Sequence, residues 1–414
     1  MAPSSFAPLR HRSYALMWSG AFVSNLGTWM ETVALGYYVT EVTRQAAWTG
    51  LIAAASFVPI ALVGPVGGAL ADRWSRRHLM AVTTLAQAVL AGVLTLLVIA
   101  DHAPPWVVVV LALASGCAGA LGFPAYQAML PDLVPEEDLV AAIGLGSAQY
   151  NLGRVIGPAL AGVVIKLGGV EWALGINAVS FLAVVTVLLV VRLPKRAPSR
   201  APLLAAIRDG WRFAHSEPGI RVSLSVMALT MFLASPFIAL LPAMAVNVLD
   251  GDEATTAALV TAQGIGAVVA ALSLGRLNAR FGVRRMMVGA VAALPLALLA
   301  YATAPVLAVT LLTLMVLGAV YLMALSSFTT VAQQRSPDHL RGRVLAINMV
   351  TMGVLYPVGA LLQGRLADGM GLRVVTAAAA LSMAVVLAAV RLVRPGATSA
   401  LDDPVARRLA DIPA

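Results

Sequence analysis

Residues 68–77 read GALADRWSRR, and residues 275–284 read GRLNARFGVR. The second stretch begins 207 residues after the first (275 − 68), half the length of the 414-residue chain. Each stands between two long apolar runs. The first holds Gly68, Asp72, Arg73, Arg76 and Arg77; the second keeps Gly275, Arg280, Gly282 and Arg284 but has Ala279 in place of the acid. A loop that recurs at half the chain length marks a membrane protein built from two homologous halves. The plainer alternative is a basic loop between unrelated helices.

Composition points the same way. The chain is 60% hydrophobic and 11% charged, with a mean hydropathy of +0.88. A soluble domain is nearer half apolar and a quarter charged. Apolar runs of roughly 20 residues, enough to cross hydrocarbon as a helix, can be placed at about 14–39, 49–71, 79–100, 105–129, 140–166, 172–192, 220–248, 255–277, 284–302, 305–330, 343–366 and 371–393. The expected fold is an all-α membrane protein with twelve transmembrane helices. The expected division is residues 1–192 as one six-helix bundle, 193–219 as a cytoplasmic linker, 220–393 as a second bundle and 394–414 as a tail.

The net charge of +9 is spread over short loops, so nucleic acid is not an expected partner. Arg73, Arg76, Arg77, Arg276, Arg280, Arg284, Arg285, Arg335, Arg341, Arg343, Arg391 and Arg394 all fall on one side with the N-terminus. Glu41, Asp101, Glu171, Asp250, Asp252, Glu253 and Asp368 fall on the other. The positive-inside rule then puts both termini in the cytoplasm. Arg10, His11 and Arg12 precede a full-length first span, which is expected to act as its own insertion signal without cleavage. The single cysteine, Cys117, allows no intrachain disulfide. The histidines lack metal-ligand spacing, and HExxH, GxSxG and P-loop patterns are absent. No enzyme activity, metal or cofactor is expected.

The linker's later part puts Leu203, Leu204, Ile207 and Trp211 on one helical face and Arg208, Asp209 and Arg212 on another. Such a helix can lie on the inner membrane surface or dock on the protein.

The first repeat, read as G-x-x-x-D-R-x-G-R-R, resembles the loop between the second and third helices of the major facilitator superfamily, with Ser75 where that family prefers Gly. The fifth apolar run, GLGSAQYNLGRVIGPALAG, resembles the antiporter motif of exporters in that superfamily at Gly144, Gly153, Gly157, Pro158 and Gly162, with Ala161 the departure. NLGTWMETVAL and PDLVPEEDLVAA look like the enterobactin-exporter and macrolide-efflux branch. Small residues allow close helix approach in lipid, and Pro158 removes a backbone hydrogen bond. The fifth helix is therefore expected at the seam between the halves.

Two charges stand deep in the apolar runs, Glu31 and Arg154. Each costs about 2.5–3.5 kcal/mol at a helix centre, so they are expected to face a cavity or one another. A carboxyl group in such a place can load and release a proton, which makes Glu31 the candidate proton-coupling residue with Arg154 beside it. The fourth span lacks the Arg that many exporters of the superfamily carry, so Arg154 is expected to take its place. Asn25, Gln149, Tyr150, Asn151, Gln263, Asn348 and Tyr356 are the uncharged polar residues in spans; they line a substrate path or bond neighbouring helices. A cytoplasmic gate is expected from Asp72 meeting Arg341 or Arg343, and from Glu136, Glu137 and Asp138 meeting Arg280, Arg284 or Arg285.

The resemblance implies a monomeric secondary transporter in a bacterial plasma membrane. It would export a small, partly apolar compound in exchange for protons by alternating access. An importer of the same fold, or a non-transporting sensor or assembly partner, are the alternatives.

Overall fold

The computed structural model describes residues 6–191, 203–394 and 396–402. The basic start of the linker, residues 194–200, and the tail from residue 403 lie outside the described residues, as do the side chains of residues 203–209. Every regular element among the described residues is helical.

In chain order the long helices are α1 (Arg12–Thr43), α2 (Ala46–Leu62), α3 (Gly64–Arg73), α4 (Arg76–Ile99), α5 (Pro105–Leu133), α6 (Leu139–Gly168) and α7 (Val170–Val190). The amphipathic α8 (Leu203–Ser216) follows. Then come α9 (Pro218–Val248), α10 (Glu253–Ala302), α11 (Leu307–Arg335), α12 (Asp338–Met370) and α13 (Leu372–Val393). Eight of these helices are individually long and apolar enough to cross a membrane, and α2 with α3, bent by 45° at their junction, would make a ninth. The count falls short of twelve for physical reasons. α1 and α6 run for 32 and 30 residues but carry Asn25, Glu31, Gln149 and Arg154 among their apolar side chains. α10 runs for 50 residues and joins two expected spans in one element.

That junction lies in the second sequence repeat. Gly282 has φ 77° and ψ 158°, a conformation open almost only to glycine, and it breaks the helical path of α10. The first repeat solves the same turn differently. There α3 stops at Arg73, and Ser75, in extended conformation, caps α4 by accepting from the His78 amide at 3.4 Å. The expected span 220–248 is irregular as well: α9 widens into π-helical turns at Thr230–Ala234 and Met244–Val248, around a tight turn at Ser235–Phe237. Ser235 and Thr230 answer this by bonding inside the helix.

α1 packs on α6 and α7, α4 on α5 and α7, and α2 on α5; on the other side, α10 packs on α11 and α13. The most extensive contacts between residues up to 191 and residues from 203 on are α2 along α12 and α6 along α10. α8 docks on the protein. Phe213 and Ala214 are buried with Ile220, Ala332, Val344 and Ile347, and Gly210 lies against Arg343. Trp211 is 60% exposed, on a different face.

The break at Gly282 generates a stability test. Gly282→Ala places a side chain in a conformation that costs about 1–3 kcal/mol. A lower melting temperature is expected, whereas Gly68→Ala, with open space around its added methyl, should stay within about 0.5 kcal/mol of the parent. Equal melting of all three proteins would show that the break is not fixed by the backbone at Gly282.

Candidate functional site: the seam and its central polar cluster

The seam between α2 and α12 and between α6 and α10 is closed at one end. A methyl group at Gly50 would lie 2.5 Å from the Ala360 carbonyl, and one at Gly364 would lie 2.7 Å from that of Ala46. Gly162 abuts Ala257, and Gly264 abuts the backbone of Arg154 and Val155. Such backbone-to-backbone approach needs residues without side chains. The same end carries a borrowed helix cap. Asp368, near the end of α12, accepts from the Ala46 amide at 2.6 Å and the Ala47 amide at 3.2 Å. Gln45 stands at the N-cap of α2 and its own side chain caps nothing. α10, by contrast, caps itself through Asp252, and the Thr255 amide and hydroxyl hold that carboxyl below its usual range. Asn247 also reaches across to the Arg44 carbonyl at 3.2 Å.

At the other end, among the described residues, α3 packs on α2, α4 and α5 and makes no extensive contact with α12. Added methyl groups at Gly68, Gly144, Gly275 and Gly342, on α3, α6, α10 and α12, would meet nothing within 4 Å among the described residues. Asp72 is exposed and makes no ion pair or hydrogen bond among the described residues. The expected gate partners are engaged elsewhere. Arg341 donates to the Gln333 carbonyl at 3.1 Å, and Arg343 lies against Gly210 of α8. Arg284 bonds Asp402 and Thr398 of the C-terminal turn. Asp138 is buried and bonded to His11 at 2.7 Å, while Glu136 and Glu137 are exposed, as are Arg280 and Arg285. Arg76 bonds Asp132 and the Ala128 carbonyl, Arg77 bonds the Leu189 carbonyl, and Arg73 is exposed.

Between the two ends lies a cluster of polar and aromatic side chains. Arg154 of α6 donates to Gln263 of α10 at 2.9 Å and lies over the Trp29 ring at 5.7 Å. Tyr150 meets the same ring edge-on at 5.8 Å. Arg154 is close enough to interact electrostatically with the hydroxyl groups of Tyr150, Tyr321 and Tyr356. Tyr356 packs edge-on against Phe57 at 5.1 Å, and Tyr321 donates to Ser235 at 3.0 Å. Side chains from both parts of the chain thus converge on one region.

Glu31 is elsewhere. Its carboxyl accepts from Asn177 of α7 at 2.6 Å, and Ser180 bonds Asn177 in turn. Of the two expected placements, facing a cavity or facing one another, the second is not found: each charge bonds a side-chain amide on a neighbouring helix. α6 lies at the seam, along α10, but its glycines divide between two neighbours. Gly153 and Gly157 pack on α1, against Asn25 and Trp29; a methyl group at Gly157 would lie 2.5 Å from Trp29. Of the motif glycines, Gly162 is the one that faces across the seam, and Pro158 is buried in an otherwise continuous helix. Among the other expected path residues, Gln263 and Tyr356 belong to the central cluster. Asn151 bonds its own helix at Ser147, and Gln149 and Asn348 are buried.

Three functional candidates escaped the sequence reading: Asn177, Asp368 in its capping role, and Asp402. Asn177 carried a signal, as the one amide in α7, whose other polar residues are Glu171, Ser180 and Thr186. Asp368 and Asp402 carried none, because their partners are 322 and 118 residues away.

Comparison with known proteins fits this architecture. The sequence profile of a family described as transmembrane secretion effector matches residues 3–410. Macrolide efflux protein A of Streptococcus pyogenes is 26% identical over 63% of this chain, a match that spans 65% of its own length. The staphyloferrin A transporter of Staphylococcus aureus is 26% identical over 86% of this chain and 89% of its own. A crystal structure of a bacterial homologue of the human lysosomal transporter Spinster, in an inward-facing and unoccupied conformation, superposes with a TM-score of 0.72. It is 16% identical and covers 95% of this chain and 98% of that one. Long apolar helices in two packed sets, glycines on the seam and a profile match over nearly the whole length lead to one conclusion: the chain belongs to the transmembrane secretion effector family, multi-pass membrane transporters of the major facilitator type, and is not an enzyme.

Proposed function

We propose that the protein is a twelve-span exporter that moves a small, partly apolar compound out of a bacterial cell in exchange for protons. The observation that carries the reading is the seam, closed by glycines and Asp368 at one end, while at the other α3 makes no extensive contact with α12 and Asp72 is exposed. Twelve crossings follow if α2 with α3 is one, α10 is two divided at Gly282, and the polar α1 and α6 each make one. Residues 1–192 and 220–393 then form two six-helix bundles joined by the linker at 193–219, and residues 394–414 form a cytoplasmic tail. The basic loops stand at the Asp72 end, so that end is cytoplasmic, both termini lie inside, and the conformation is inward-open.

Transport follows from rocking the bundles about the central cluster. Closing the cytoplasmic end brings Asp72 toward Arg341 or Arg343, and Glu136, Glu137 or Asp138 toward Arg280, Arg284 or Arg285. Opening the other end releases Asp368 from α2. Glu31, with Asn177 holding it, is the proton-exchanging group, and Arg154 belongs to the substrate site. The antiporter-like motif in α6 and the relatives named for efflux support export. The protein works as a monomer.

Two expected outcomes follow. Gln at position 31 can still accept from Asn177 but cannot exchange a proton. Glu31→Gln proteoliposomes should therefore bind a macrolide or siderophore probe as the parent does, yet show no pH-gradient-driven flux. Flux equal to the parent's removes Glu31 from coupling. Loss of a helix cap costs about 0.5–2 kcal/mol, roughly a two- to thirty-fold shift in a two-state equilibrium. Asp368→Ala should thus raise labelling of a cysteine placed at Gly50's neighbour Leu51 from the outer side, by several fold, in a chain whose Cys117 has been replaced. Unchanged labelling would mean that Asp368 does not hold the outer end shut.

A further inference from the structure

Arg154 and Gln263 share an imbalance that the transport reading above does not explain. The Arg154 guanidinium carries five N–H donors, and the contacts it makes are one bond to the Gln263 side-chain oxygen and the face of Trp29. Among the described residues no carboxylate stands within ion-pairing distance of it. Glu31, the carboxylate deep in the same set of helices, is bonded to Asn177 instead. Gln263 is 1% exposed, and because its oxygen is turned to Arg154, its Nε2 is left buried without a partner. A full cation and an amide donor thus stand side by side, with spare donor capacity and no matching acceptor. In a transporter core that arrangement is unfavourable unless something else brings the acceptors.

We propose that the missing acceptor is the anionic group of the substrate, so that the compound carried is an organic anion with an aromatic or otherwise flat apolar body. A carboxylate, sulfonate or similar oxyanion can take two parallel bonds from a guanidinium and a third from the amide Nε2 of Gln263. The Trp29 ring under the cation, with Tyr150 edge-on to it, suits the apolar body, since flat groups pack on aromatic faces and edges. The Arg154–Gln263 bond also joins α6 to α10 across the seam, so an anion seated there touches both moving parts of the protein. The competing explanation is an interhelix tie with no ligand.

The proposal rests on the transporter reading for its setting, but its test measures binding alone. The full chain is purified into lipid nanodiscs, and thermal unfolding and tryptophan fluorescence are followed with three probes of one size: 2-naphthoate, neutral 2-naphthamide and 2-naphthylmethylammonium. Naphthoate should bind at least ten-fold more tightly than the amide, and the ammonium weakest. Arg154→Gln should keep amide binding while losing the preference for naphthoate. Gln263→Glu supplies the missing carboxylate from the chain itself, so the ligand-free protein should melt higher and naphthoate should add nothing. This variant serves where Arg154→Gln does not fold. Equal binding of all three probes, preference for the ammonium, no response to naphthoate, or naphthoate binding unchanged in both variants overturns the anion site. None of those results bears on direction or proton coupling, which are read from flux across vesicles.

Discussion

The structure depends on helices that approach backbone to backbone where glycine leaves room. In lipid there is little hydrophobic drive between helices, so close van der Waals packing must hold them. Gly50, Gly162, Gly264 and Gly364 provide that packing between α2 and α12 and between α6 and α10. Gly50 and Gly364 lie at the Asp368 end and Gly264 beside Arg154 in the middle, and Asp368 adds a pair of charge-assisted hydrogen bonds at its own end. Within each part, Gly67 on α5, and Gly266 and Gly318 between α10 and α11, make contacts of the same kind. Those internal contacts make each part stiff, whereas the seam is held from the Asp368 end to its middle. A body built this way has one easy motion, a rocking of one part against the other.

The charges are arranged to permit that motion. Glu31 bonds Asn177 within the first part, and Gly27 leaves space for Asn177 and Ser180 to sit close to α1. At the basic end, Glu217 and Arg335 form a nearly buried pair at 2.7 Å, with Glu217 also capping α9 through the Ile220 amide. Arg335 reaches the Leu401 carbonyl, and Arg284 bonds Asp402, so the C-terminal turn is fastened to the second part. His11 with Asp138 and Arg76 with Asp132 do the same work in the first part. Removing one partner from a buried pair such as Glu217–Arg335 costs about 3–5 kcal/mol, so that pair belongs to a rigid body, whereas Asp138 and Arg284 hold local partners that gate closure would exchange. Arg154 with Gln263 differs: it crosses the seam, as Asp368 does at one end, but in the middle.

Much of this was legible in the sequence, for identifiable reasons. The half-length repeat and the apolar runs gave the helices, because a span must be a long apolar segment. The break at 282 was legible as a glycine in the second repeat, though not its joining of two runs into one long element. The π-helical widening of α9 was not legible, since nothing in TMFLA or MAVNV departs from ordinary helix composition. The glycine motif in α6 announced close packing but not the partner: Gly153 and Gly157 turn to α1, and Gly162 to α10, a distinction of helical phase. The buried charges were found, but their partners were not. Asn177 and Gln263 are amides on distant helices, and a charge–charge pairing was the simpler inference from sequence. Of the expected gate charges, Asp138, Arg284 and Arg341 have local partners instead, which sequence spacing does not reveal.

The central claim is that the two parts rock so that the Asp72 end closes. Pulsed EPR distances between spin labels at residue 68 on α3 and residue 342 on α12 test it most directly, in a chain whose Cys117 has been replaced. Added methyl groups at both positions meet open space, so labels there should not disturb packing in this conformation. The account predicts two distance populations in lipid nanodiscs, the shorter one growing as a pH gradient or a transported compound is imposed, while a label pair within the first part stays fixed. A single distance, unchanged under every condition in a protein that still transports, would contradict it.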